Sequence, residues 1–161
     1  MQKTPVHLEQ IQLVGIKLRT NNKDEFNPDT AKIAGYVGKY FSEQIADKIP
    51  QRKNPGKTFS AFAEYESDHT GEYTYFIGEE VESIDDIPAG LSLLVIAPQN
   101  YIKFTTNSGP MPAVVIDAWQ QIWQMDDLAE KRRYHVDFEV YDERAADPAN
   151  TVLDVYILIS R

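Results

Sequence analysis

The chain has no cysteine in 161 residues and only three histidines. That excludes disulfide frameworks, thiolate catalysis and cysteine-based zinc sites, and it leaves little material for a histidine metal centre. His7, His69 and His135 stand far apart, and no pair has metal-ligand spacing. Positive charge is scarce as well. Sixteen Lys and Arg face twenty-five Asp and Glu, a net charge of −9. Such a surface repels phosphate backbones, so direct nucleic-acid binding is not expected, while cations are attracted. Long hydrophobic runs are missing too. The longest, 91–97 and 152–159, have the length of strands, and no apolar signal core opens the chain. A cytoplasmic protein without membrane contact is the expectation. No Gly-rich phosphate loop or nucleophile elbow occurs, and Ser42, Ser60 and Ser92 have no evident base partner.

The chain does hold an ordinary apolar share, 42%, and eighteen aromatic residues, nine of them tyrosine. At this length about 70% of the unfolded surface is buried on folding, enough for one core without staples. Aromatics in such number must fill that core or line a cavity.

The periodicities give an order of elements. Residues 7–20 read as a strand, with Val14, Ile16 and Leu18 alternating with Gly15, Lys17 and Arg19. A helix is expected from about Asp29 or Thr30, either of which can cap it, to about Ile45. Its stripe is Ile33, Val37, Phe41 and Ile45; close packing on a sheet would explain Gly35 and Gly38 inside it. Strands near 58–66 and 72–81 follow. The acidic run Glu79, Glu80, Glu82, Asp85 and Asp86 reads as a solvated loop. Residues 91–97 read as a short strand or an extended linker. A strand near 100–106 leads into a helix after Pro112, with Val115, Ala118, Trp119, Ile122 and Trp123 on one face. Strands at 134–141 and 151–159 close the chain.

Strand, helix, strand, strand therefore occurs twice. The halves match at Ile16–Thr20 with Ile102–Thr106, at Phe62–Tyr65 with Phe138–Tyr141, and at Thr74–Ile77 with Val155–Leu158. Two related modules are expected, one at about 7–82, the other at about 99–161, joined by a linker at about 83–98. The expected fold class is α+β, with antiparallel sheets, helices on one side and the two related modules facing each other in a single domain.

In the strand 134–141, Val136, Phe138 and Val140 should face the helices, and Asp137, Glu139 and Tyr141 the other way. Two readings of Glu139 remain open. It stands on a solvated outer face, or it sits in an aromatic groove between modules. In a groove the carboxylate needs a cation or hydrogen-bond donors to offset its desolvation, and it would select lipophilic cations.

The stretch Tyr101-Ile102-Lys103-Phe104-Thr105-Thr106-Asn107-Ser108-Gly109-Pro110, the helix segment Ala118-Trp119-Gln120-Gln121-Ile122-Trp123, and the strands Asp137–Asp142 and Val155–Ile159 resemble the GyrI-like small-molecule-binding domain. That domain is the effector-binding part of AraC-type and MerR-type multidrug-responsive regulators and also occurs as a stand-alone gyrase inhibitor. The resemblance implies a two-module fold with a groove across a pseudo-twofold, which binds amphipathic, often cationic, molecules. The pocket glutamate would be Glu139. The aromatic wall would fall among Tyr36, Tyr75, Tyr101, Trp119, Tyr141 and Tyr156. No metal or other cofactor is implied. Too few residues precede the first expected strand to hold a helix-turn-helix, so a transcriptional role would need a separate DNA-binding partner. Two alternatives stay open: a small hydrolase using Glu139, or a gyrase-directed protein interaction through the acidic stretch 79–86.

Overall fold

The computed structural model describes residues 1–160. Its frame is one eight-stranded, antiparallel sheet. The strands are β1 (Gln2–Leu8), β2 (Ile11–Asn21), β3 (Thr58–Ala63), β4 (Glu72–Glu80), β5 (Ser92–Ile96), β6 (Gln99–Thr105), β7 (Val136–Tyr141) and β8 (Asp154–Leu158). The helices are α1 (Asn22–Glu25), α2 (Ile33–Ser42), α3 (Ala113–Trp123) and α4 (Asp126–Ala129). No helix among the described residues is long and apolar enough to cross a membrane.

The strand order is β1-β6-β8-β7-β3-β4-β2-β5. Read from its centre, it is two mirrored sets of four. The centre is the β3–β7 pair, where Ser60 stands opposite Glu139. Each half runs strand–strand–helix–strand–strand, one strand more than the sequence pattern suggests. The extra strands are exchanged: β1 pairs with β6 of the second half, and β5 pairs with β2 of the first. The sequence reading missed most of β1 and ran its first strand from residue 7 through Glu9 and Gln10, which separate β1 from β2; it left 91–97 open between a short strand and an extended linker, and the structure makes it the strand β5. Both connectors, Glu9-Gln10 and Ala97-Pro98, are two residues long. Each can span only about 10 Å, yet each joins strands at opposite ends of the order. The sheet must therefore bend until its ends approach.

That bend creates a core on one face. Val6 and Leu8 of β1, Ile11 and Leu13 of β2, and Leu94 and Ile96 of β5 pack with Phe59 and Ala61 of β3 and Phe138 of β7. The other face carries the helices. Ile16, Tyr73, Tyr75 and Ile77 pack under α2, and Ile102, Phe104, Val155 and Ile157 pack under α3. The middle strands are thus buried on both faces, and β7 has no solvated side.

Two pairs of glycines behave differently. Gly15 and Gly78 face each other across β2 and β4, and a β-carbon on either would fall 1.9 or 2.2 Å from a carbonyl oxygen of the opposite strand. This close approach requires glycine. Gly35 and Gly38 of α2 have nothing within 4 Å of such a carbon, so the packing role read from the sequence is not theirs. Helix α2 also starts later than Asp29 or Thr30. Its first amides, from Lys32 and Ile33, donate to the Glu25 carboxylate, which serves as the cap.

Candidate functional site: an aromatic cavity with a buried carboxylate

A cavity of about 1480 Å³ opens between α2 and α3 over β3, β4 and β7. The chain that builds it also explains its chemistry. Ser60 and Phe62 of β3, Tyr73 and Tyr75 of β4, and Glu139 and Tyr141 of β7 all point to the helix side because they share strand parity across the registered pairs. Ile33, Val37 and Phe41 of α2 and Val115, Trp119 and Trp123 of α3, each spaced by about one turn, form the side walls.

Glu139 sits at the centre of the sheet, 5% exposed. One carboxylate oxygen accepts from the Trp119 indole Nε1–H at 2.6 Å and the other from the Tyr141 hydroxyl at 2.6 Å. No Lys or Arg among the described residues pairs with it, in contrast to Asp137 two residues earlier. Asp137 is fully buried but takes Arg132 at 2.9 Å, the Tyr65 hydroxyl at 2.8 Å and the Leu158 amide at 2.8 Å. Burial pushes the Glu139 carboxyl above the ordinary carboxylate range, and the two hydrogen bonds oppose this. The rings around it form a linked set. Phe62 meets Tyr73, Tyr75 and Trp119 edge-on at 5.2–5.5 Å, and the Tyr75 hydroxyl shares a 2.8 Å hydrogen bond with Ser60. Among the described residues no group of three or more histidine or acidic side chains is arranged to hold a metal ion.

Glu139, Tyr75, Trp119 and Tyr141 thus come together on one wall. Three other tyrosines do not. Tyr101 and Tyr156 lie on the opposite face, where both contact Phe138, Tyr156 stacked on its ring at 4.7 Å. Tyr36 packs against β2 and donates to the Lys17 carbonyl at 2.7 Å, away from the cavity wall. The orientation expected for β7 is reversed: Phe138 and its alternating neighbours fill the bent core, and Glu139 and Tyr141 face the helices. The acidic run is also not a solvated loop throughout. Glu79 and Glu80 belong to β4, and Glu79 is 2% exposed and salt-bridged to Arg52 at 3.4 Å.

The sequence reading missed Phe62, Tyr73, Phe26 and His69 as wall residues. For Tyr73 a signal was available, since it is two residues from Tyr75 on the same strand; Phe62 had no such neighbour among the residues read as wall. Phe26 and His69 come from loops and carried none.

The mirrored sheet, the two helices on one face and the cavity across the pseudo-twofold define an α+β, GyrI-like effector-binding fold. The chain belongs to the Cass2 family, the integron-associated effector binding proteins, whose pattern it matches over residues 6–159. It is similar to an integron cassette protein from the mobile metagenome of Vibrio cholerae, with 27% identity and a TM-score of 0.80 over 98% of this chain and 95% of that one. It is 25% identical to YobU, a candidate transcriptional regulator of Bacillus subtilis, over 96% of both chains. The structure of SAV2435 bound to tetraphenylphosphonium shares the fold, with a TM-score of 0.78 at 18% identity, covering 99% of this chain and 94% of that one.

Proposed function

We propose that this protein captures small lipophilic cations in the cavity, with Glu139 as their counter-charge, and serves as the sensing part of a regulatory response carried by a separate DNA-binding partner. One observation carries the reading: a buried carboxylate faces an aromatic cavity with two neutral donors and, among the described residues, no cationic side chain paired to it. A carboxylate in such surroundings is costly until a cation shares them. Ring faces add attraction for a cation that sheds its water easily. The net charge of −9 favours the same ligands at long range. SAV2435, of the same fold, has been solved with tetraphenylphosphonium.

The test compares tetraphenylphosphonium with neutral triphenylphosphine oxide by calorimetry and by Trp119 fluorescence. Glu139→Gln should weaken the cation by about tenfold or more, equivalent to at least 1.4 kcal/mol, and leave the oxide unchanged. Equal loss for both probes would remove Glu139 as counter-charge.

A further inference from the structure

The cavity holds a second carboxylate that the reading above does not use. Glu25 lines the end where the start of α2 meets the end of α3. Its side chain is fixed. One oxygen accepts from the Thr20 hydroxyl at 2.7 Å and the Lys32 amide at 3.0 Å, and the other from the Ile33 amide at 3.0 Å. The helix start offsets about half a unit of its charge. No Lys or Arg among the described residues pairs with Glu25. Of the Lys and Arg side chains that line the cavity, Arg132 is held by Asp137 at 2.9 Å, Lys53 pairs with Glu80 at 3.7 Å, and Lys57 lies over the Phe59 ring at 5.7 Å.

Aromatic rings surround this end as they surround Glu139. Phe26 and Trp123 meet edge-on at 5.8 Å, and the His69 ring stacks on Trp123 at 5.8 Å. Tyr73 donates to the Asn22 side-chain oxygen at 3.0 Å, and Asn22 in turn donates to the His69 carbonyl at 2.8 Å. These bonds hold the two loops in place around Glu25. Tyr73 feels both carboxylates: burial, then Glu25, then Glu139 push its hydroxyl pKa up. The cavity, at about 1480 Å³, exceeds the roughly 300–1000 Å³ of common small-molecule pockets, so it has room beyond one head group.

We propose that Glu25, with Phe26, Tyr73 and Trp123, forms a second cation subsite, and that the cavity therefore takes elongated dications with one charge at Glu139 and the other at Glu25. This rests on the Glu139 reading. The physical basis is a difference in desolvation. A second ammonium entering an apolar end loses hydration without return and weakens binding. Beside a fixed carboxylate and aromatic rings it regains that loss.

The test titrates decamethonium, which carries a quaternary ammonium at each end of a decane chain, and decyltrimethylammonium, which carries one. Wild type should bind decamethonium about tenfold tighter, one decade in Kd. Glu25→Gln, which keeps an acceptor for the α2 amides, should abolish that preference and leave the monocation unchanged. A bis-quaternary series with spacers from butane to dodecane should show an affinity optimum in wild type, as two fixed charges require. No preference for decamethonium in wild type, a preference that survives Glu25→Gln, or affinity that climbs steadily with spacer length would each overturn the subsite. If Glu25→Gln does not fold, the spacer series decides alone. Monocation affinity unmoved by Glu139→Gln is a separate result: it removes the Glu139 reading.

Discussion

The two faces of the sheet use the same residue types for opposite ends. On the bent face, Phe59, Phe138, Tyr101 and Tyr156 pack ring against ring with aliphatic side chains from both ends of the sheet. On the helix face, Phe62, Tyr73, Tyr75 and Tyr141 line an open cavity around a carboxylate. The cause is not composition. The bent face is closed by the sheet itself, because two-residue connectors draw its ends together. The helix face is closed mainly at its flanks, because α2 and α3 each cover their own half and leave a cavity between them over the buried central pair β3–β7. An aromatic side chain becomes core or cavity wall according to strand parity alone.

Substitution on the bent face should give the largest effect on stability. Phe138→Ala removes a ring that is 1% exposed and touches three other rings. The expected cost is about 3–5 kcal/mol, seen in thermal unfolding as a Tm drop of about 2–4 °C for each kcal/mol. Trp119→Phe on the helix face should lower Tm by less and act on binding instead. It keeps a ring but deletes one of the two donors to Glu139, a hydrogen bond to a charged group worth roughly 1.5–3 kcal/mol of stability. The carboxylate, left with one donor, should then hold a bound cation more tightly. If Trp119→Phe lowered Tm as much as Phe138→Ala, the two faces would not be the separate devices argued above.

Strand parity is also where the sequence was hardest to read. The α+β class, the doubled order of elements and both helices are visible in periodicity. The constellation of Glu139, Trp119, Tyr141 and Tyr75 is instead what the resemblance to the GyrI-like domain implies. The internal matches, however, align Phe62 with Phe138 and Tyr75 with Tyr156, and the structure puts the members of each pair on opposite faces. Ile16 and Ile102, by contrast, both face the helices. Two of three matches are thus displaced by an odd number of residues, so a match in order does not place Tyr156 on the face of Tyr75. The physical reason is double burial. Strands such as Val136–Tyr141 are covered on both faces, so the polar–apolar alternation that fixes parity is lost. The exchanged edge strands were hidden for a different reason. β1 is largely exposed, with polar residues and Pro5, and pairs with β6 about a hundred residues away. Nothing local announces such a partner.

The uncompensated carboxylate gives the next effect, on stability without ligand. Burial raises the Glu139 pKa in the folded state. A folded pKa above the unfolded one means that the folded state holds the proton more tightly. The stabilisation from that proton is complete below the ordinary glutamate pKa and disappears as pH rises through the folded value. Once pH exceeds that folded value the fold carries the cost of a desolvated anion. Glu139→Gln keeps partners for Trp119 and Tyr141 and removes that charge. It should raise Tm on the alkaline side of the folded pKa, by about 2–4 °C per kcal/mol relieved, with the gain shrinking as pH falls through it. A gain independent of pH would place its origin in packing rather than in charge.

The smallest effect comes from single hydroxyls, and here the faces should differ in sign. The Tyr75 hydroxyl, on the helix side, shares a 2.8 Å hydrogen bond with Ser60. Tyr75→Phe leaves the buried Ser60 hydroxyl without that partner and should cost about 0.5–1.5 kcal/mol. The Tyr101 hydroxyl, on the bent face, is buried with no hydrogen-bond partner among the described residues. An unpaired buried hydroxyl costs roughly 1–3 kcal/mol of desolvation, and Tyr101→Phe recovers part of it without opening a space larger than one oxygen atom. Tyr101→Phe should therefore raise Tm slightly and leave cation affinity unchanged, whereas Tyr75→Phe should lower Tm and disturb the wall beside Glu139. Thermal unfolding and tetraphenylphosphonium titration of the two variants, side by side, measure both signs. Equal losses of Tm would mean that the bent face satisfies its polar groups as well as the cavity does, and that the two faces differ only in shape.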